Sequence, residues 1–177
     1  MVRVGMTANA ITVIGALGSW IASIVFFTQG HFFIGTLVIA FFLLSDLFDG
    51  TIARLTGSNG TRFGALLDST LDRISDAMIF VALILWSIER EESWVLPLLL
   101  SLLLGFLISY IKARAESLAI ACEVGLAERA ERLIVLLTST GLYGLGVDSA
   151  MIIGLWLLVL INVITVGQRF AVVIKEA

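Results

Sequence analysis

Long apolar stretches separated by short polar joints organise this chain. They run over residues 9–28, 31–50, 64–88, 94–112, 132–147 and 150–172. Crossing hydrocarbon as a helix takes about 20 apolar residues, and these stretches are of that order. The alternating pattern of barrel strands, about ten residues per strand, is absent. Helices are the remaining way to satisfy every backbone group in lipid. The second stretch is predicted to continue as helix through Arg54, past the membrane surface. Residues 55–63 hold Gly57, Ser58, Asn59, Gly60 and Thr61 and read as a tight polar turn. That turn makes the second and third helices antiparallel neighbours. No internal repeat or low-complexity segment interrupts the pattern. The expected fold is an all-α integral membrane bundle of six helices, a single transmembrane domain over 1–177.

Composition supports a membrane protein. The chain is 59% hydrophobic and 14% charged, with a mean hydropathy of +1.07, outside the range of soluble domains. A net charge of -3 gives no basic surface for nucleic acid. The single cysteine, Cys122, excludes an internal disulfide and a cysteine metal cage, and the single histidine, His31, excludes a multi-histidine site. Both read as incidental, so the chemistry must run on carboxylates, Arg, Lys and hydroxyls. The first apolar stretch has no small-residue cleavage site and reads as a retained span.

Charge placement orients the bundle. With six spans, Arg3, Arg54, Arg62, Arg73, Lys112, Arg114, Arg129, Arg132, Arg169 and Lys175 fall on one side and only Arg90 on the other. By the positive-inside rule the richer side is cytoplasmic. Both termini and the site residues below are therefore expected to face the cytoplasm from a cell-membrane location.

Against this apolar background stand Asp46, Asp49, Asp68 and Asp72. Carboxylates beside lipid-length apolar segments are costly and need a reason. Spacings of three and four put each pair on one helix face, and both pairs sit near the same membrane rim. Four such oxygen ligands can hold one divalent cation or two, in a site suited to phosphates. The plainer reading is helix-terminal carboxylates paired with Arg54 or Arg73. Gly50, Ala53 and Gly57 lie along one helix face and Gly64 opens the next helix. Such small residues admit either a neighbouring helix or a flat ligand. Arg54 is either a phosphate contact or a topology residue.

The run D-x-x-D-G-x-x-A-R…G-x-x-x-D-x-x-x-D resembles the CDP-alcohol phosphotransferases, membrane enzymes of six-helix architecture. The likeness extends over nearly the whole chain. One departure is the turn, where nine residues separate Arg54 from Gly64 and the family pattern has eight. The resemblance implies that Asp46, Asp49 and Asp68 bind Mg²⁺ or Mn²⁺. It implies that Asp72 is the general base and shares the metal. It further implies that Gly50, Ala53 and Gly64 line the CDP slot, with Asp49 and Arg54 beside it, and that the enzyme is a homodimer. The T-A-N at 7–9 is similar to the family's T-P-N, which makes Asn9 either a nucleotide contact or a helix N-cap.

The acceptor side rests on cations. Lys112, Arg114, Arg129, Arg132 and Arg169 gather on the cytoplasmic side, with Arg129 and Arg132 sharing a helix face. They suit an anionic acceptor, or else serve as topology residues and partners of Glu116, Glu128 and Glu131. The stretches Y-I-K-A-R-A-E, A-E-R-A-E-R-L-I and D-S-T-L-D-R-I-S-D resemble the inositol-phosphate-accepting branch, which has bacterial and archaeal members. C-E-V-G-L-A-E-R-A-E-R is closer to the archaeal type. In that branch Arg114, Arg132 and Arg169 match the acceptor-phosphate pocket, with Lys112 nearby, and Asp76 orients an arginine or a ligand. The implied reaction moves a lipid phosphate from CDP-archaeol or CDP-diacylglycerol to inositol 1-phosphate, releasing CMP. Glycerol-3-phosphate is the alternative acceptor. A carboxylate-lined cation or proton transporter is the rival of another class, and it predicts carboxylates at the bilayer midplane and broken helices.

Overall fold

The computed structural model describes residues 8–55 and 61–176, with the side chains of residues 8, 9 and 45–55 outside that description. Among the described residues the chain forms six α-helices: α1 (Ala8–Ala22), α2 (Phe32–Leu55), α3 (Arg62–Arg90), α4 (Glu92–Ser117), α5 (Arg129–Gly144) and α6 (Asp148–Glu176). A π-helical turn, Ser23–Phe27, extends α1. Each apolar stretch corresponds to one helix, although the first continues through the π-helical turn and the fifth runs on to residue 147 where α5 ends at Gly144, and α2 runs past Arg54 as expected. The helices outlast the apolar stretches mainly where polar ends meet the rim, at the ends of α2, α4 and α6 and the start of α5. Hydropathy fades there, but i→i−4 bonding continues. The turn at Gly57–Gly60 lies outside the described residues.

Local chemistry sets the breaks. Thr61 caps α3 by accepting the Gly64 N–H at 3.0 Å, which satisfies one orphan donor of the first turn. Glu91 alone separates α3 from α4. Its φ of -145° and ψ of 67° leave the helical region, while its N–H closes α3 on the Ser87 carbonyl at 2.9 Å.

Among the described residues, three segments are long and apolar enough to cross a membrane: Ala10–Phe27, Glu92–Ser117 and Asp148–Glu176. In α2 the described apolar portion is Phe32–Leu44. α3 carries Asp68, Asp72, Arg73 and Asp76 along its first half and α5 carries Arg129, Glu131 and Arg132 at its start, which lowers their mean without shortening them. Leu37, Leu103, Ile153 and Leu160 are exposed on the outer faces, as lipid contact requires. Inside, Ile39, Ile79, Leu83, Leu98, Leu136, Met151, Leu155 and Leu158 are buried. α4 packs on α3 and α6, α5 on α2 and α6, and α1 on α2 and α3.

The two ends of the bundle differ chemically. At one end Phe32, Trp86, Trp94 and Tyr143 meet, with ring centroids 4.7–5.4 Å apart for Trp94–Tyr143, Phe32–Trp86, Trp86–Trp94 and Phe32–Tyr143. These are the start of α2, the end of α3, the start of α4 and the end of α5. Aromatic amphiphiles of this kind favour a membrane–water interface. The opposite end holds the charged residues described next.

Candidate active site

α3 carries Asp68, Asp72 and Asp76 at successive four-residue intervals, so they form a row along one helix face. Asp68 is exposed near the rim, while Asp72 and Asp76 are half-buried. Arg129, in the first turn of α5, reaches across to both. Its Nη1 lies 2.9 Å from Asp72 Oδ1 and its Nε lies 3.0 Å from Asp76 Oδ1. Asp76 also faces Arg73, with Nη2 to Oδ2 at 3.5 Å, and Arg73 donates to Ser109 of α4. Alternating charges thus join α3 and α5, and the Ser109 hydroxyl ties in α4. Groups this far from bulk water need such pairing.

Two small cavities meet at this network. One, of about 20 Å³, lies between α3, α4, α5 and α6, and its polar lining includes Arg73, Asp76, Arg129 and Arg132. The other, of about 10 Å³, lies between α1, α2, α3 and α5 and is lined by Thr12, Ser19, Phe42, Leu43, Asp72 and Arg129, among others. Arg129 therefore stands between them. The backbone of α2 carries positions 46 and 49 one and two turns beyond Phe42. The side chains of Asn9, Asp46, Asp49, Gly50, Ala53 and Arg54 lie outside the described residues. Gly64 sits in the first turn of α3, beside the Thr61 cap.

The acceptor cations separate into groups. Arg132 is buried and lines the first cavity, with Nη1 donating to the Ala127 carbonyl at 3.3 Å. Arg169 is more deeply buried, and its Nε and Nη1 donate to the carbonyls of Val124, at 2.9 Å, and Ile108, at 2.6 Å. Arg114 is exposed and donates to Ser117 of its own helix at 3.3 Å. Lys112 is half-buried on α4. The structure thus brings Arg132 together with Arg129 and Arg73, sets Arg169 against the chain leading into α5, and leaves Arg114 on the surface. The Arg129–Asp72 pair escaped sequence reasoning. Its partners are 57 residues apart, and nearby Glu128 and Glu131 offered local partners instead.

The donor set fits a hard divalent cation. Asp68 and Asp72 offer carboxylate oxygens one turn apart, and the α2 positions that could complete the shell carry aspartates. Mg²⁺ and Mn²⁺ take such ligands and share them with substrate phosphates.

Residues 5–167 match the CDP-alcohol phosphatidyltransferase family, and the chain belongs to it: a membrane enzyme of the CDP-alcohol phosphotransferase type that works with a divalent metal. Among its relatives, phosphatidylinositol phosphate synthase of Mycobacterium tuberculosis is 41% identical over 174 residues, covering 96% of this chain and 80% of that one. The enzyme of that name from Streptomyces avermitilis is 38% identical over 186 residues, covering 100% of this chain and 76% of the relative. The M. tuberculosis crystal structure in complex with manganese and citrate superposes with a TM-score of 0.90 at 41% identity, covering 97% of this chain and 84% of that one. The structure of the same enzyme with CDP-DAG bound gives a TM-score of 0.89 at 40% identity, covering 97% and 88%.

Proposed function

We propose that this enzyme transfers a phosphatidyl group from CDP-diacylglycerol to a hydroxyl of inositol 1-phosphate, releasing CMP. The observation that carries the acceptor half is the cavity lined by Arg73, Asp76, Arg129 and Arg132, where Arg129 is also paired with Asp72. Convergent guanidinium groups at a half-buried site suit a phosphate monoester. The relatives named above are phosphatidylinositol phosphate synthases, which supports the same acceptor. They are bacterial, and one of them binds CDP-DAG, which favours a diacylglycerol donor over the archaeol donor suggested by residues 122–132.

In this reading Asp46, Asp49, Asp68 and Asp72 hold the metal, which when bound neutralises pyrophosphate charge. Gly50, Ala53 and Gly64 leave room for the cytidine, with Arg54 and Asn9 beside it. The acceptor hydroxyl attacks the lipid-linked phosphorus, the bond from that phosphorus to the bridging oxygen breaks, and CMP departs with the electron pair. Asp72 takes the hydroxyl proton. Arg129 fixes the Asp72 carboxylate through Oδ1, and Arg132 receives the acceptor phosphate with Lys112 at the rim. The lipid tails stay in the bilayer, because the site lies at the cytoplasmic rim of a cell-membrane protein that acts as a homodimer.

Purified enzyme supplied with CDP-diacylglycerol and a panel of alcohol phosphates, with CMP release followed, tests this. Inositol 1-phosphate is expected to be the best acceptor. Better turnover with glycerol-3-phosphate would overturn the acceptor assignment and leave the metal site standing. Arg132→Ala should raise the KM for inositol 1-phosphate roughly tenfold to a hundredfold, as a charge-assisted hydrogen bond implies, with little change in the KM for CDP-lipid. Arg132→Lys should recover part of the loss, since it lacks the planar fork. Unchanged KM values in Arg132→Ala would remove it from the pocket.

A further inference from the structure

The chain between α4 and α5, residues 118–128, has no secondary structure of its own, yet it lies tucked against the bundle. It starts at Ala119 in the left-handed region, φ 60°, and buries Cys122 and Ala127. What holds it is one stripe of α6. Thr165, Gln168 and Arg169 stand at i, i+3 and i+4 and so share a face. Thr165 Oγ1 accepts the Ala127 N–H at 3.3 Å, Gln168 Oε1 accepts the Leu126 N–H at 2.7 Å, and Arg169 Nε donates to the Val124 carbonyl at 2.9 Å. Gly125 closes the fit: its φ is +153°, and a Cβ there would stand 2.8 Å from Thr165 Cγ2. The clamped segment is in turn a partner of the site, because the Ala127 carbonyl receives Nη1 of Arg132 at 3.3 Å.

We propose that Thr165 and Gln168 are positioning residues for the acceptor. They clamp residues 124–127 to α6, and the Ala127 carbonyl then fixes where the Arg132 guanidinium stands. The proposal rests on the reading of Arg132 as a contact of the acceptor phosphate. It also gives Arg169 a second task, since two of its nitrogens are committed to backbone carbonyls of the clamp and of α4. A guanidinium displaced by an ångström loses much of a directional contact to phosphate, so loosening the clamp weakens acceptor binding. It leaves the CDP-lipid contacts on α2 and α3 untouched.

Thr165→Val keeps the shape of the side chain but removes the oxygen that accepts the Ala127 N–H. Gln168→Met keeps the stem of an exposed residue and removes its acceptor. Each is expected to raise the acceptor KM roughly threefold to tenfold, the range of one neutral hydrogen bond. The KM for CDP-lipid and the kcat at saturating acceptor should stay within about twofold. Thr165→Ser, which restores the oxygen, should return the acceptor KM to the parent value. Equal rises in both KM values, a fall in kcat alone, or parent behaviour in Gln168→Met would overturn the proposal. A lowered unfolding temperature in Thr165→Val with both KM values unchanged would also overturn it, by making the clamp structural only. If the parent prefers glycerol-3-phosphate, the acceptor assignment fails by itself, and the same split is read on the KM of that substrate.

Discussion

Asp72 has two neighbours that pull it in different directions. Arg129 fixes its carboxylate at 2.9 Å, whereas Asp68, one turn away, favours a shared cation. A base held in this way is fixed in direction. Its removal should therefore damage rate more than binding. Asp72→Asn is expected to retain CDP-lipid binding better than Asp68→Asn does and to lose about 10²–10⁴-fold in turnover, the usual range for a general base. Asp68→Asn should instead weaken metal-dependent CDP binding, because it removes a ligand from the shared phosphate–metal contact. Titration of CDP binding with Mn²⁺, alongside single-turnover rates, separates the two roles. Near-parent turnover in Asp72→Asn would end its assignment as the base, and metal-dependent CDP binding unchanged by Asp68→Asn would end that residue's assignment as a ligand. Both variants should fold, since neither side chain is fully buried. The aspartate row was legible in the sequence because carboxylates are so improbable amid apolar residues. The hold of Arg129 on it was not, because nothing local in the first turn of α5 prefers Asp72 over Glu128 or Glu131.

At the scale of elements, hydropathy marks where a helix meets lipid and says little about where it ends. The ends of α2, α4 and α6 and the start of α5 extend beyond their apolar stretches for this reason. The path of the 118–128 segment was not legible in the sequence. Its path depends on α6 side chains more than 35 residues further on, among them Thr165 and Gln168. Helix packing was likewise hidden, apart from the hint of small residues. Gly144, at the end of α5, is one place where two backbones touch. A Cβ there would meet the Phe33 backbone nitrogen and stand 3.0 Å from both Phe33 Cα and Phe32 Cβ. Backbone cannot rotate aside as a side-chain tip can. Gly144→Ala should force α5 and α2 apart and destabilise the protein by about 1–3 kcal/mol, the usual cost of overpacking. At about 2–4 °C per kcal/mol for a chain of this size, unfolding of the purified protein in detergent would show it. An unfolding temperature equal to the parent's would mean that this contact yields freely.

For the whole molecule, the chemical difference between the two ends implies an orientation. The aromatic end carries Arg90, whose guanidinium lies 5.7 Å from the Trp86 ring centroid. The other end carries the aspartate row, the clamp and the other described basic residues. A nucleotide-linked lipid and a soluble alcohol phosphate meet most simply on the side where nucleotides are made, and the basic excess at that end independently points the same way. Single cysteines test this in a Cys122→Ala background, where no other thiol is present. Glu89, whose side chain is 77% exposed beside the break between α3 and α4, marks the aromatic end. Glu123, exposed in the clamped segment, marks the other. In intact cells a membrane-impermeant maleimide should label Glu89→Cys at once and Glu123→Cys only after permeabilisation. The reverse pattern would put the site outside. Labelling of both in intact cells would mean mixed insertion, and the orientation drawn from charge asymmetry would then be wrong. The split expected here also bears on the metal chemistry, because a cytoplasmic site draws its divalent ion and its nucleotide-linked substrate from one compartment and needs no transport step between them.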